Sequence, residues 1–71
     1  MEEHMRQRGK VKWFDSKKGI GFIQRDGAPD VFVHFSKIIG WDRKILHKGE
    51  AVEFTEEQGR RGPVAVDVTS V

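Results

Sequence analysis

The residues best suited to chemistry in this chain are rings set among cations. Phe22, Phe32 and His34 fall within thirteen residues of one another, close in sequence to Lys12, Lys17 and Lys18. Flat rings beside lysines suit unpaired nucleic acid. Bases stack on the rings, each contact being worth roughly 1–3 kcal/mol, while the cations follow the phosphates. A duplex hides its base faces, so such a surface selects single strands. Other chemistries find little support. There is no cysteine, which excludes disulfides and cysteine zinc sites, and His4, His34 and His47 lack ligand spacing. His34 has no second ligand or nucleophile nearby in sequence, which leaves stacking or a base-edge hydrogen bond as its role. The glycine-flanked Arg60-Arg61 turn does not match GxxxxGK[ST], so it reads as a hairpin with a phosphate-touching Arg. No acid/base constellation points to an enzyme. Neither a cofactor nor a metal is expected.

These rings serve only if strands turn them outward. Turn signals at Asp15-Ser16, Asp26 to Pro29, Gly40, Lys48-Gly49 and Gly59 to Pro63 separate five candidate strands, 9–15, 19–25, 30–35, 50–56 and 64–70. The stretch 36–46 has room for one helical turn at Ser36 to Ile39. Five short strands in so short a chain predict an all-β, antiparallel barrel, whose closure removes exposed edges. Period two then assigns faces. Val31 and Val33 share one face of the third strand and Phe32 and His34 the other. In the second strand, Ile20, Phe22 and Gln24 oppose Gly21 and Ile23, and Gln24 marks its face as the wet one. Phe14, Phe35 and Phe54 are expected in the core. The first strand resists this reading: Trp13 has the parity of Val11, so it reaches the outer face only through a bulge or strong coiling.

Length and charge set the frame. Seventy-one residues make one small domain, with 37 % hydrophobic residues for a modest core. Residues 1–7 lack apolar periodicity and read as a flexible tail, leaving 8–71 as the domain. No apolar run is long enough to span a membrane, and the polar, acidic start is not a signal peptide, so a cytoplasmic protein is expected. The net charge of +2 conceals an asymmetry: residues 6–48 carry eleven basic and four acidic side chains, and residues 49–71 two basic and five acidic. Arg6, Arg8, Lys10, Lys12, Lys17 and Lys18 form a basic run opposed only by Asp15, a field suited to a polyanion.

The segments GKVKWFD (9–15), KGIGFI (18–23), VFVHFS (31–36) and GRRGPVAVDVT (59–69) together resemble the bacterial cold-shock protein family, whose domain is a five-stranded oligonucleotide-binding (OB-fold) barrel. The resemblance covers about Gly9 to Thr69. It implies stacking by Trp13, Phe22, Phe32, His34 and Phe35, with Phe14 partly buried beside them. That places Trp13 and Phe35 outward, against parity for the first and against the core expectation for the second. By the same resemblance Lys12, Lys18 and Arg61 meet phosphates or base edges. Asp15, where the family more often has Asn, and Asp30 accept hydrogen bonds from base amino groups.

Two departures stand out. Ile20 replaces the usual aromatic in KG-aromatic-GF, at an expected loss of about 1 kcal/mol, the low end of the stacking range. In the loop before Leu46 the family's aromatic is missing; either Trp41 provides the ring or Arg43 stacks by its guanidinium plane, or Trp41 instead packs against the barrel as a loop anchor. The implied function is a non-enzymatic RNA chaperone that binds single-stranded RNA and DNA, pyrimidine-rich by preference, over about six or seven nucleotides. Roles in cold adaptation and in regulating transcription or translation follow from the same resemblance. The protein is expected to be a monomer, with a strand-exchanged dimer as a variant. The competing reading is a protein-interaction module whose aromatic patch meets another protein. Salt dependence distinguishes the two.

Overall fold

The computed structural model describes residues 6–40 and 45–71. Strands β1 (Gln7–Asp15), β2 (Ile20–Arg25) and β3 (Ala28–His34) form a meander. A 3-10 turn at Phe35–Lys37 follows, then the hairpin of β4 (Ala51–Gly59) and β5 (Gly62–Ser70). The sheet closes in the order β1-β2-β3-β5-β4. This is the all-β barrel expected, with two differences. The β3–β5 contact is parallel and rests on one pairing, Phe32 with Val64. The helical turn begins one residue early, because the His34 ring accepts a hydrogen bond from the Ser36 amide and caps it there. Gln7, at the end of the segment read as a tail, opens β1 and pairs with Phe54. Residues 1–5 lie outside the described residues.

Across β2, β3 and β4 the core follows the period-two reading; in β5 Ala65, Val66 and Val68 are all buried, because the register against β4 shifts between Glu53 and Thr55. Val11, Ile23, Val31, Val33, Val52, Phe54, Ala65 and Val68 point inward, joined by Ile38 and Leu46 from the connection. Phe54 is fully enclosed, as expected. Each of these side chains larger than Ala contributes roughly 1.5–3 kcal/mol relative to exposure. The parity of β1 breaks where the register against β2 shifts, between Val11 and Trp13. A bulge adds one residue to a strand and re-aims the side chains beyond it. Val11 therefore enters the core while Trp13 stands 40 % exposed.

The opposite end of the barrel is held by polar contacts. Arg25 Nη1 donates to Gln7 Oε1 (2.8 Å) and to Glu56 Oε1 (2.9 Å), and Gln7 Nε2 donates to the same Glu56 oxygen (3.0 Å). β1, β2 and β4 are thereby tied together. The Gln7 amide is the main influence holding the Glu56 carboxyl below the usual carboxylate range; partial burial opposes it, and the hydrogen bond and charge of Arg25 reinforce it.

Candidate nucleic-acid interface

Three rings line up across the outer face of β1, β2 and β3. Trp13 pairs in register with Phe22, and Phe22 with Phe32. Their centroids are 5.5 Å and 5.6 Å apart, inclined at 51° and 71°. Rings in tilted and edge-to-face contact hold one another in place without covering their outer faces. Phe22 and Phe32 are half-buried at their roots, so they stand as fixed plates rather than loose arms. A second aromatic unit lies at the end of β3. His34 and Phe35 stack with centroids 4.7 Å apart and planes at 29°, and Phe35 is 44 % exposed. The core expectation for Phe35 is thus overturned. The chain leaves the strand at His34, so alternation no longer governs the next residue. Phe14, also expected in the core, is half-buried and packs against it from the side.

The turn between β1 and β2 sets the distance between these units. Asp15 Oδ1 accepts from the amides of Lys17 (2.9 Å) and Lys18 (3.2 Å), and the Asp15 carbonyl accepts from Gly19 (2.7 Å). The Gly19 carbonyl in turn accepts from the Phe35 amide (2.8 Å). Gly19 has φ +69°, and a Cβ there would lie 2.3 Å from the Phe35 ring. Only glycine lets Phe35 lie this close. At Gly21 a Cβ would meet the Trp13 carbonyl at 2.4 Å, so a bare backbone is needed beneath the bulge as well. One Asp15 oxygen is therefore occupied in shaping the turn that Asp15-Ser16 signalled, beside its reading as a base acceptor.

Charges around the face fall into two groups. Arg6 donates to the Asp67 carbonyl and to Thr69, and Arg8 pairs with Glu53 at 2.8 Å. Lys12 pairs with Asp30 at 3.0 Å, bridging β1 to β3 across the outer face of β2. The basic run is therefore not one field. Among the described residues the side chains of Lys10, Lys17, Lys18, Arg60 and Arg61 make no hydrogen bond or ion pair and are exposed. Arg61 lies at the β4–β5 turn, where it lines a groove with Phe22 and Phe32, and Lys18 lies at the β1–β2 turn. Ile20 sits half-buried on the same outer face, in register with Asp15 and His34. Trp41 and Arg43 lie outside the described residues.

Sequence reasoning missed one part of the surface. Phe22, Asp30 and Phe32 share an open groove of about 540 Å³ with Arg60, Arg61 and Pro63. The wall formed by the β4–β5 turn depends on the parallel β3–β5 contact, which joins strands far apart in sequence. The only signal was local, the RRGP run at a turn.

Residues 7–71 match the 'Cold-shock' DNA-binding domain family. The chain belongs to the cold-shock domain family. Curated relatives agree over nearly their whole lengths. The cold shock-like protein CspB of Yersinia pestis is 58 % identical over 64 residues, covering 89 % of this chain and 91 % of that protein. The cold shock-like protein of Thermotoga maritima is 55 % identical over 64 residues, covering 90 % and 97 %. The cold shock protein CspB of Bacillus caldolyticus is 52 % identical over 65 residues, covering 92 % and 98 %. Among solved structures, one described as Drosophila Unr CSD456 superimposes with a TM-score of 0.80 at 22 % identity. It covers 96 % of this chain, which spans 27 % of that longer one; the likeness is one of fold. No helix among the described residues is long and apolar enough to cross a membrane.

Proposed function

We propose that this protein binds single-stranded RNA and DNA by stacking bases on Trp13, Phe22, Phe32, His34 and Phe35, with phosphates following Lys18 and Arg61. The observation that carries this reading is the row of three outward rings, 5.5–5.6 Å apart, flanked by unpaired cations. Bases held on such a row are unavailable for pairing. Mass action then shifts hairpins toward open strands, which is an RNA chaperone activity without catalysis. Lys12 and Asp30 enter together: a phosphate that takes Lys12 releases Asp30 to accept from a base amino group. A preference for pyrimidine-rich strands follows from stacking strength and backbone flexibility; roles in transcription or translation rest on the family resemblance.

Fluorescence titration of Trp13 in a Trp41→Phe background tests the proposal, using oligo-dT, its duplex with oligo-dA and two salt concentrations. Quenching by the single strand, weakened by salt with a log–log slope of about −0.7 per phosphate contact, is expected. An oligonucleotide that leaves the emission unchanged at low salt would overturn the reading and favour a protein partner for the aromatic patch.

A further inference from the structure

The outer face of β2 does not end at Phe22. Gln24 is the next residue of the same parity, about 7 Å farther along the strand, and it is exposed. Its partner in register is Lys10 on β1. Among the described residues neither side chain has a hydrogen-bond or ion-pair partner, whereas Arg8 and Arg25 beside them are tied to Glu53 and Glu56. Lys10, Gln24, Arg8 and Asp26 line an open groove of about 610 Å³. The Lys12–Asp30 bridge crosses β2 between this groove and the aromatic row, since Lys12 lies between Val11 and Trp13, the partners of Ile23 and Phe22.

The chemistry of this pair differs from that of the rings. Lys10 offers an ammonium to a phosphate. The Gln24 amide offers both donors and an acceptor to a base edge. Asp26 on the rim repels phosphate, which confines the backbone to the Lys10 side. From this continuity we infer that the Lys10–Gln24 groove is a further subsite for single-stranded nucleic acid. It takes one nucleotide beyond those on the aromatic row, with the phosphate on Lys10 and the base edge on Gln24. A strand reaching it passes over Lys12, so its phosphate displaces Asp30 from that lysine. The inference rests on the proposed single-strand function and lengthens its footprint.

A length series separates the two. Oligo-dT of three to nine nucleotides is titrated against the full chain and against Lys10→Gln and Gln24→Ala, with melting midpoints as a check on folding. The parent should gain affinity for one length step more than either variant does. For strands long enough to reach the groove, Lys10→Gln should lower the salt slope by about 0.7. Between 50 and 200 mM salt the variant should then lose about 2.6-fold less affinity than the parent, the fourfold salt change raised to that slope. Short strands should not distinguish the proteins, whereas a general charge effect would act on every length alike. Equal length profiles for parent and variants, with binding otherwise intact, would overturn the subsite and leave the aromatic face standing. No binding at any length would overturn both.

Discussion

Replacing Ile20 by Phe restores a ring where this chain has an aliphatic side chain, and its effect is expected on binding rather than on stability. Ile20 lies in register with His34, two residues from Phe22 on the outer face. A ring there would fill the space between the Trp13–Phe22–Phe32 row and the His34–Phe35 stack. Stacking on an aromatic is worth roughly 1–3 kcal/mol. Because the aliphatic group already covers part of a base, the gain should lie near about 1 kcal/mol, or about fivefold in affinity. The position is half-buried, and Ile and Phe both favour strands, so the melting midpoint should hardly change. Titration of Trp13 fluorescence with oligo-dT in the Trp41→Phe background measures the gain. Ile20→Leu, which keeps the bulk without the ring, should leave affinity as it is. Unchanged or weaker binding by a normally folded Ile20→Phe would refute the reasoning that the missing ring at position 20 costs this face about 1 kcal/mol of stacking.

Three further outcomes are expected. Gly19→Ala puts a side chain at φ +69° and against the Phe35 ring; the left-handed backbone alone costs about 1–2 kcal/mol, so thermal denaturation should show a Tm lower by at least roughly 4–8 °C. Phe54→Ala empties the largest fully buried side-chain position and should cost about 3–5 kcal/mol in urea denaturation, a large share of the stability of a chain this small. For Glu56, whose carboxyl is held below its usual range by Gln7 and then Arg25, the folded state gains stability above the unfolded carboxylate pKa and loses it as pH falls through the lower folded value. Glu56→Gln should therefore flatten the acid limb of the stability profile; an unchanged limb would show that Glu56 does not contribute to it.

Much of the site was legible because period-two alternation is a local rule. Phe22 and Phe32 could be placed outward from their neighbours Ile23, Val31 and Val33, whereas Phe54 was placed inward only because most Phe side chains are buried. The rule failed wherever the chain left regular strand geometry. Trp13 needed the bulge, which no single residue announces. Phe35 needed the end of β3 at His34 and the space left by Gly19. Without the family resemblance, neither would have been assigned to the surface.

Composition and pattern by themselves determined that this is a small cysteine-free β domain, that Val31, Val33 and Ile23 face its core, and that its cations crowd the first half of the chain. Those properties depend on neighbours in sequence. The tertiary structure decided which cations remain available, since Arg6, Arg8 and Lys12 find partners 61, 45 and 18 residues away. It also decided that the β4–β5 turn closes one side of the aromatic groove and that Lys10 meets Gln24. Strand pairing brings such residues together, within the meander for Lys10 with Gln24 and Lys12 with Asp30 and by barrel closure for Arg8 with Glu53, and pairing between distant segments is a contact that no local spacing encodes.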